Sequence, residues 1–166
     1  MNDAHLHLVV NHFPIIGTIF GLGILIMGQV LRNNTVKNVA YVLFIVAAVF
    51  AAFSMYTGEG AEEAVEDMPS VGKQIIHQHE ELAENLAILL YVLGTISLVG
   101  LYLNIINHAK AKLVSLLAVI VAVIGVFFAK EVGTSGGEIR HTEIRANATV
   151  LTEEQNSGTA EKSDND

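Results

Sequence analysis

The sequence predicts an all-α fold, a four-helix transmembrane bundle, and three observations carry that prediction. Apolar residues make up 52% of the 166 positions and the mean hydropathy is +0.50, a balance typical of membrane proteins. Four apolar segments, at 14–31, 39–56, 82–103 and 113–129, each approach the roughly 20 residues that cross a hydrocarbon core of about 30 Å as a helix. None of the four contains Lys, Arg or Asp, and Glu84, near the start of the third, is their one carboxylate.

Composition also excludes several classes. Cysteine is absent, so neither a disulfide framework nor a thiolate metal site is available. The formal net charge is -8 and the nine Lys and Arg residues are scattered, which argues against nucleic acid as a partner, because phosphate neutralisation needs clustered basic side chains. The expected partner is the lipid bilayer.

Taken in order, the first element opens with HLHLVVNHFP at residues 5–14. The residues before the first apolar segment include Asp3 and no Lys or Arg, and no small-residue cleavage site follows, so this segment is expected to be retained as a span. Pro14 suits the first turn of a helix and pushes Phe13 away from α geometry, which predicts a short separate turn over 5–12. On that turn Leu6, Val9, Val10 and Phe13 form an apolar stripe, and His7 and Asn11 share another face. Within the first span, the small residues of GTIFG, at 17–21, are expected to let a neighbouring helix of the same chain approach closely.

The loops set the orientation. Arg32 and Lys37 lie between the first and second spans, Lys110 and Lys112 between the third and fourth, and neither loop has an acidic residue. The positive-inside rule puts both loops in the cytoplasm and both termini outside. The connection at 57–81 carries Glu59, Glu62, Glu63, Glu66, Asp67, Glu80 and Glu81 against Lys73 alone, and is therefore expected outside.

In that connection, Gly58 and Gly60 predict that the chain turns off the second span, with a short amphipathic helix at 61–68 stopped by Pro69. Glu62 and Glu63 complement the dipole of that helix, and one of them is available to the external mouth. From about Ser70 one helix is expected to run into the third span, with His77, Glu80, Glu81 and Glu84 on a solvated face. His79 falls among Leu82, Ala83, Leu86 and Leu90, on the stripe facing the bundle, where an imidazole needs a hydrogen-bond partner or a metal. After the fourth span, Gly136 and Gly137 predict a tight reversal, and an extended run with Ile139, His141 and Glu143 on one side and Arg140 on the other. Such a run would fold back over the mouth, with Arg140 pairing to a carboxylate. Residues 1–145 form the membrane domain, and the polar, acidic stretch at 146–166 is expected to be a disordered tail.

Together LHLVVNHFP, YTGEGAEE, the pair His79 and Glu80, and GGEIRH resemble the motifs of a family of uncharacterised bacterial four-span membrane proteins. More distantly they resemble predicted membrane proteins whose first span begins H-P-x-x-V-H-F-P and whose last is followed by G-G-x-L. The resemblance covers about residues 4–145 and implies the fold, together with a bacterial inner-membrane location. The family's histidines match His7, His12, His79 and His141. Members of the larger group joined to cytochrome c or Rieske-type domains imply a redox setting, with a respiratory or other membrane redox partner.

Six of the seven histidines, all but His108, fall in segments expected outside. Three readings follow. In the first, a non-haem metal such as Zn, Fe or Cu is held by His7, His12, Glu63, His79 and His141, a nitrogen and oxygen set suited to those ions. In the second, His12 and His79 are opposed axial ligands of a b-type haem, with Arg140 on the propionates. In the third, the chain is a structural or accessory subunit whose polar mouth satisfies its own hydrogen bonds. No G-x-S-x-G or H-E-x-x-H motif supports a hydrolase, and no mid-span charge supports transport. The oligomeric state is left open by the sequence.

Overall fold

A computed structural model describes residues 2–66 and 71–145. Among these residues, five α-helices and one 3-10 turn follow in order: α1 Asp3–Val10, α2 His12–Val30, α3 Asn34–Glu63, α4 Lys73–Ile105, α5 Ala111–Arg140, and the turn Thr142–Ile144. Helices α2 to α5 run up and down, each packed on the next, and α2 closes the bundle against α5. Four helical stretches among the described residues are long and apolar enough to cross a membrane, with α1 and α2 together making the first. Their outward faces, including Phe20, Val49, Ile88, Leu98, Ile120 and Phe127, are exposed, as lipid-facing surface should be.

The interior uses small residues to bring backbones together. Ala40, Ala47, Ala51, Ala118, Ala122 and Ala129 are buried around Leu25, Tyr41, Phe44, Leu90 and Leu93. The glycines of GTIFG pack within the chain, as expected: a Cβ at Gly17 would stand 3.1 Å from that of Ala47, and one at Gly21 would strike the Phe44 ring at 2.6 Å.

Both turns at the basic end have the same construction. Arg32 and Asn107 take left-handed backbone conformations, with φ of 51° at each. After α2, Asn33 N–H donates to Gly28 O (3.0 Å) and Arg32 N–H to Gln29 O (3.1 Å). After α4, His108 N–H donates to Leu103 O (2.9 Å) and Asn107 N–H to Asn104 O (3.2 Å). This is the Schellman pattern, which satisfies the last carbonyls of each helix and reverses the chain within a few residues. Asn33 then caps α3, its side chain accepting from Thr35 N–H and Val36 N–H.

At the opposite end the structure differs from the sequence expectation in three places. The break between α1 and α2 is one residue long, at Asn11, because Pro14 has no N–H for the Val10 carbonyl and its ring crowds that oxygen. Gly58 and Gly60 do not turn the chain. Helix α3 continues through both to Glu63, and of the segment expected as a separate helix, residues 67 and 68 lie outside the described residues. Gly136 and Gly137 likewise stay helical, so the extended run is replaced by the last turn of α5, which ends at Arg140, and the 3-10 turn. The tail at 146–166 also lies outside the described residues.

Each of these glycines meets a side chain of another element. A Cβ at Gly60 would lie 2.6 Å from Asp3 Cβ, one at Gly136 2.9 Å from His79 Cε1, and one at Gly137 3.2 Å from Ile144 Cδ1. The contacts at Gly58 are looser, with His7 Cε1 at 3.8 Å. Glycine costs an α-helix about 1 kcal/mol relative to Ala, and here it makes room for α1, for His79 and for the terminal turn.

Candidate functional site

The end of the bundle opposite the basic turns gathers α1, the last turns of α3 and α5, and the first turns of α4. Helix α1 starts from Asn2, whose side chain accepts from His5 N–H (3.0 Å), and lies against the α3 extension. It turns its polar face inward. His7 and Asn11, one turn apart, are half-buried, whereas Leu8, Val9 and Phe13 are exposed. Phe13 stacks on Phe50 of α3 with ring centroids 4.5 Å apart, which fixes the rotation of this segment.

His7 Nδ1 lies 3.1 Å from Ser54 O and 3.2 Å from Thr57 Oγ1. A carbonyl only accepts, and the Thr57 hydroxyl is itself directed to the Phe53 and Ser54 carbonyls, so the proton of His7 belongs on Nδ1. His79 repeats this logic from the other side. Its Nδ1 is 2.9 Å from Ser135 Oγ, and the Ser135 hydroxyl donates to Val132 O at 3.1 Å, so Oγ accepts and His79 Nδ1 donates. Both imidazoles therefore present an Nε2 lone pair, and they lie close enough for their charges to interact were both protonated. Asn11 adds a buried Oδ1 with no hydrogen-bond partner among the described residues.

The remaining expected site residues lie elsewhere. His12 is exposed and donates from Nδ1 to Leu8 O at 2.9 Å. It stands five positions after His7, and because Asn11 between the two helices keeps a near-helical backbone, that offset is a rotation of about 140° around the axis, which turns His12 away from the inward face of His7. Glu63 is exposed at the end of α3, and Arg140 is exposed in the last turn of α5. His141 is exposed and pairs locally with Glu143 Oε1 at 2.8 Å. A hydrogen bond from its own backbone N–H, and a second from the His141 imidazole, hold the Glu143 carboxyl below the ordinary carboxylate range. His5, His77, Glu80, Glu81 and Glu84 are exposed, as a solvated face requires. Among the described residues, no group of three or more His, Asp or Glu converges on one point.

Several residues of this end escaped the sequence reading. Asn11 was visible only as the face-mate of His7. Ser54, Thr57 and Ser135 give no signal as isolated hydroxyl residues in apolar helices. Arg145 reaches back over the end of α5, donating from Nε to Glu138 O (2.8 Å) and from a terminal nitrogen to Ile139 O (3.3 Å).

Comparison with protein-family models, curated proteins and solved structures finds no match to this chain.

Proposed function

We propose that the chain is a multi-pass protein of the bacterial inner membrane, with both termini outside, and that its external end holds a transition-metal ion through His7 and His79. The observation that carries this reading is the pair of matched tautomers: each Nδ1–H is committed to a fixed acceptor, which leaves Nε2 as a ligand lone pair. Anchoring the distal nitrogen in this way is how proteins orient metal-binding histidines. The buried Asn11 Oδ1, on the same helix face as His7, is the third donor. Two imidazoles and an amide oxygen form a neutral set suited to Zn, Fe or Cu. When bound, the ion would supply a Lewis-acid or redox centre with positions left for water or an incoming group. The exposed His12, Glu63 and His141 have no part in this set. In this reading the chain stands with the four-span bacterial proteins that its motifs resemble, and a membrane redox partner is the natural neighbour.

The test is metal analysis and an absorption spectrum of the full chain purified in mild detergent. About one ion per chain is expected, lost in His7→Ala and in His79→Ala and retained in His108→Ala. A Soret band would replace this reading with the b-type haem one. A wild-type protein with neither ion nor haem would sink both. The accessory-subunit reading would then stand, and one observation already favours it: the same hydrogen bonds tie α1 to α3 and α4 to α5.

A further inference from the structure

The end of the bundle opposite the histidines carries charge of one sign. No Asp or Glu occurs between Asp3 and Glu59 or between Glu84 and Glu131, so the two turns here and the helix ends around them hold Arg32, Lys37, Lys110 and Lys112 and no carboxylate. None of the four forms an ion pair among the described residues.

Two of these cations stand together at the seam between α2 and α5. Gln29 Nε2 donates to Ser115 O at 3.3 Å, which fixes the antiparallel register of the two helices. Arg32 follows Gln29 by three residues and Lys112 precedes Ser115 by three, so both lie just beyond the bonded pair, at the same end of neighbouring helices. Below them the outer side of the seam is bare and apolar. Ile26 and Val30 flank Gln29 on α2 as Lys112 and Leu116 flank Ser115 on α5, and Ile26, Val30 and Leu116 are exposed. Lys112, Leu116 and the exposed Val123 follow spacings of four and seven, which line them along one edge of α5.

Helix α5 does not itself account for its lysine. Lys112 lies in the first turn, where a cation opposes the helix dipole, and that turn holds no acidic residue to offset it.

We infer that the α2–α5 seam binds an anionic phospholipid, its phosphate held between Arg32 and Lys112 and its acyl chains laid along Ile26, Val30, Leu116 and Val123. Two kinds of complementarity select this occupant. Cations without carboxylates select an anion, and the apolar strip directly below them selects one attached to hydrocarbon. The Arg32 guanidinium suits two phosphate oxygens at once, and the Lys112 ammonium adds a point charge. A free phosphate would leave the strip uncovered. A second copy in the same orientation would bring its own basic end against these cations. The seam meets a headgroup layer whichever way the chain is inserted, so the inference depends neither on orientation nor on the histidine site.

Native mass spectrometry of the full chain in mild detergent, supplied with phosphatidylglycerol or with phosphatidylcholine of the same acyl chains, tests this. The wild type is expected to hold about one phosphatidylglycerol per chain in preference to phosphatidylcholine. Affinity for it should fall about fivefold in Lys112→Gln, the loss expected for one surface cation facing anionic lipid, and further when Arg32→Gln is added. Lys73→Gln, at the other end of the bundle, should leave it unchanged. Lys112 is exposed on a continuous helix, so Lys112→Gln is expected to fold even if Arg32→Gln disturbs the left-handed turn. Equal retention of the two lipids by the wild type would overturn the inference, as would an unchanged affinity in Lys112→Gln. Displacement of the lipid by inorganic phosphate would overturn it in favour of a free-anion site, and a dimer that excludes the lipid would overturn it in favour of a second copy.

Discussion

The His79 imidazole sits directly over Gly136. A Cβ at that glycine would fall 2.9 Å from Cε1 and 3.4 Å from Nδ1, inside the space the ring occupies while it bonds Ser135. Gly136→Ala is therefore expected to displace the ring and to abolish metal retention as fully as His79→Ala. Gly133→Ala, one turn earlier, meets only Ile15 Cδ1 at 3.9 Å and should retain the metal. Metal content of the two purified variants decides the matter, and equal retention would separate His79 from the site.

The paired glycines of α3 make a second contrast. Gly60→Ala would drive a Cβ to 2.6 Å from Asp3 Cβ and push α1 off its seat, whereas Gly58→Ala makes only an ordinary contact with His7. Hydrogen exchange at the amides of α1 should rise about tenfold or more in the first variant, on the scale of 1.4 kcal/mol per decade, and stay near wild type in the second. Equal protection in both would show that α1 is held by something other than this close approach.

In the membrane interior, Gly21→Ala forces a Cβ to 2.6 Å from the Phe44 ring, and overpacking of this kind costs about 1–3 kcal/mol. Gly23→Ala has no atom within 4 Å and should be as stable as wild type or more so, by up to about 1 kcal/mol of helix propensity. Unfolding of both variants in denaturing detergent measures the difference, and a Gly21→Ala protein as stable as wild type would mean that the α2–α3 contact is looser than described.

A pH dependence is expected at the end of α5. Glu143 is held below its ordinary range, so its contribution to the 3-10 turn is complete above the pKa it would have unfolded, and is lost as pH falls through its lowered folded value. The carboxyl carbon shift of Glu143, followed by NMR in detergent from neutral to acid pH, should report a midpoint below that of a model glutamate. A midpoint at or above the model value would remove the His141–Glu143 pair as a structural contact.

Orientation is tested by labelling. In intact cells, Gln74→Cys at the start of α4 should react with an impermeant thiol reagent and Asn34→Cys at the start of α3 should not. The opposite pattern would move the histidine end to the cytoplasm.

The spans were legible because lipid demands long apolar runs, and the inward placement of His79 was legible because helical periodicity is strict once a helix is assumed. The glycines were not. In a sequence Gly136 can equally mark a left-handed turn or a close approach, and only the identity of the facing group, here an imidazole from a residue 57 positions earlier, tells them apart. His12 and His141 were grouped with His7 by motif and by expected topology. The rotation of α1 and the helical end of α5 send both to the surface, and neither could be read without knowing where α3 and α5 stop.

The lengths of α3 and α4 bear on how this site responds to its surroundings. At about 1.5 Å per residue, their 30 and 33 residues measure about 45 and 50 Å, against a hydrocarbon core of about 30 Å. The excess on the histidine side is continuous helix, a stiff mast rather than a loop, and it fixes the height of His7 and His79 relative to the apolar band below. In a thinner leaflet the pair would stand among water and salt, and in a thicker one it would sink toward the acyl chains. Bilayer thickness is thus a physical variable of the site itself, one that a change of host lipid would turn without altering a single residue.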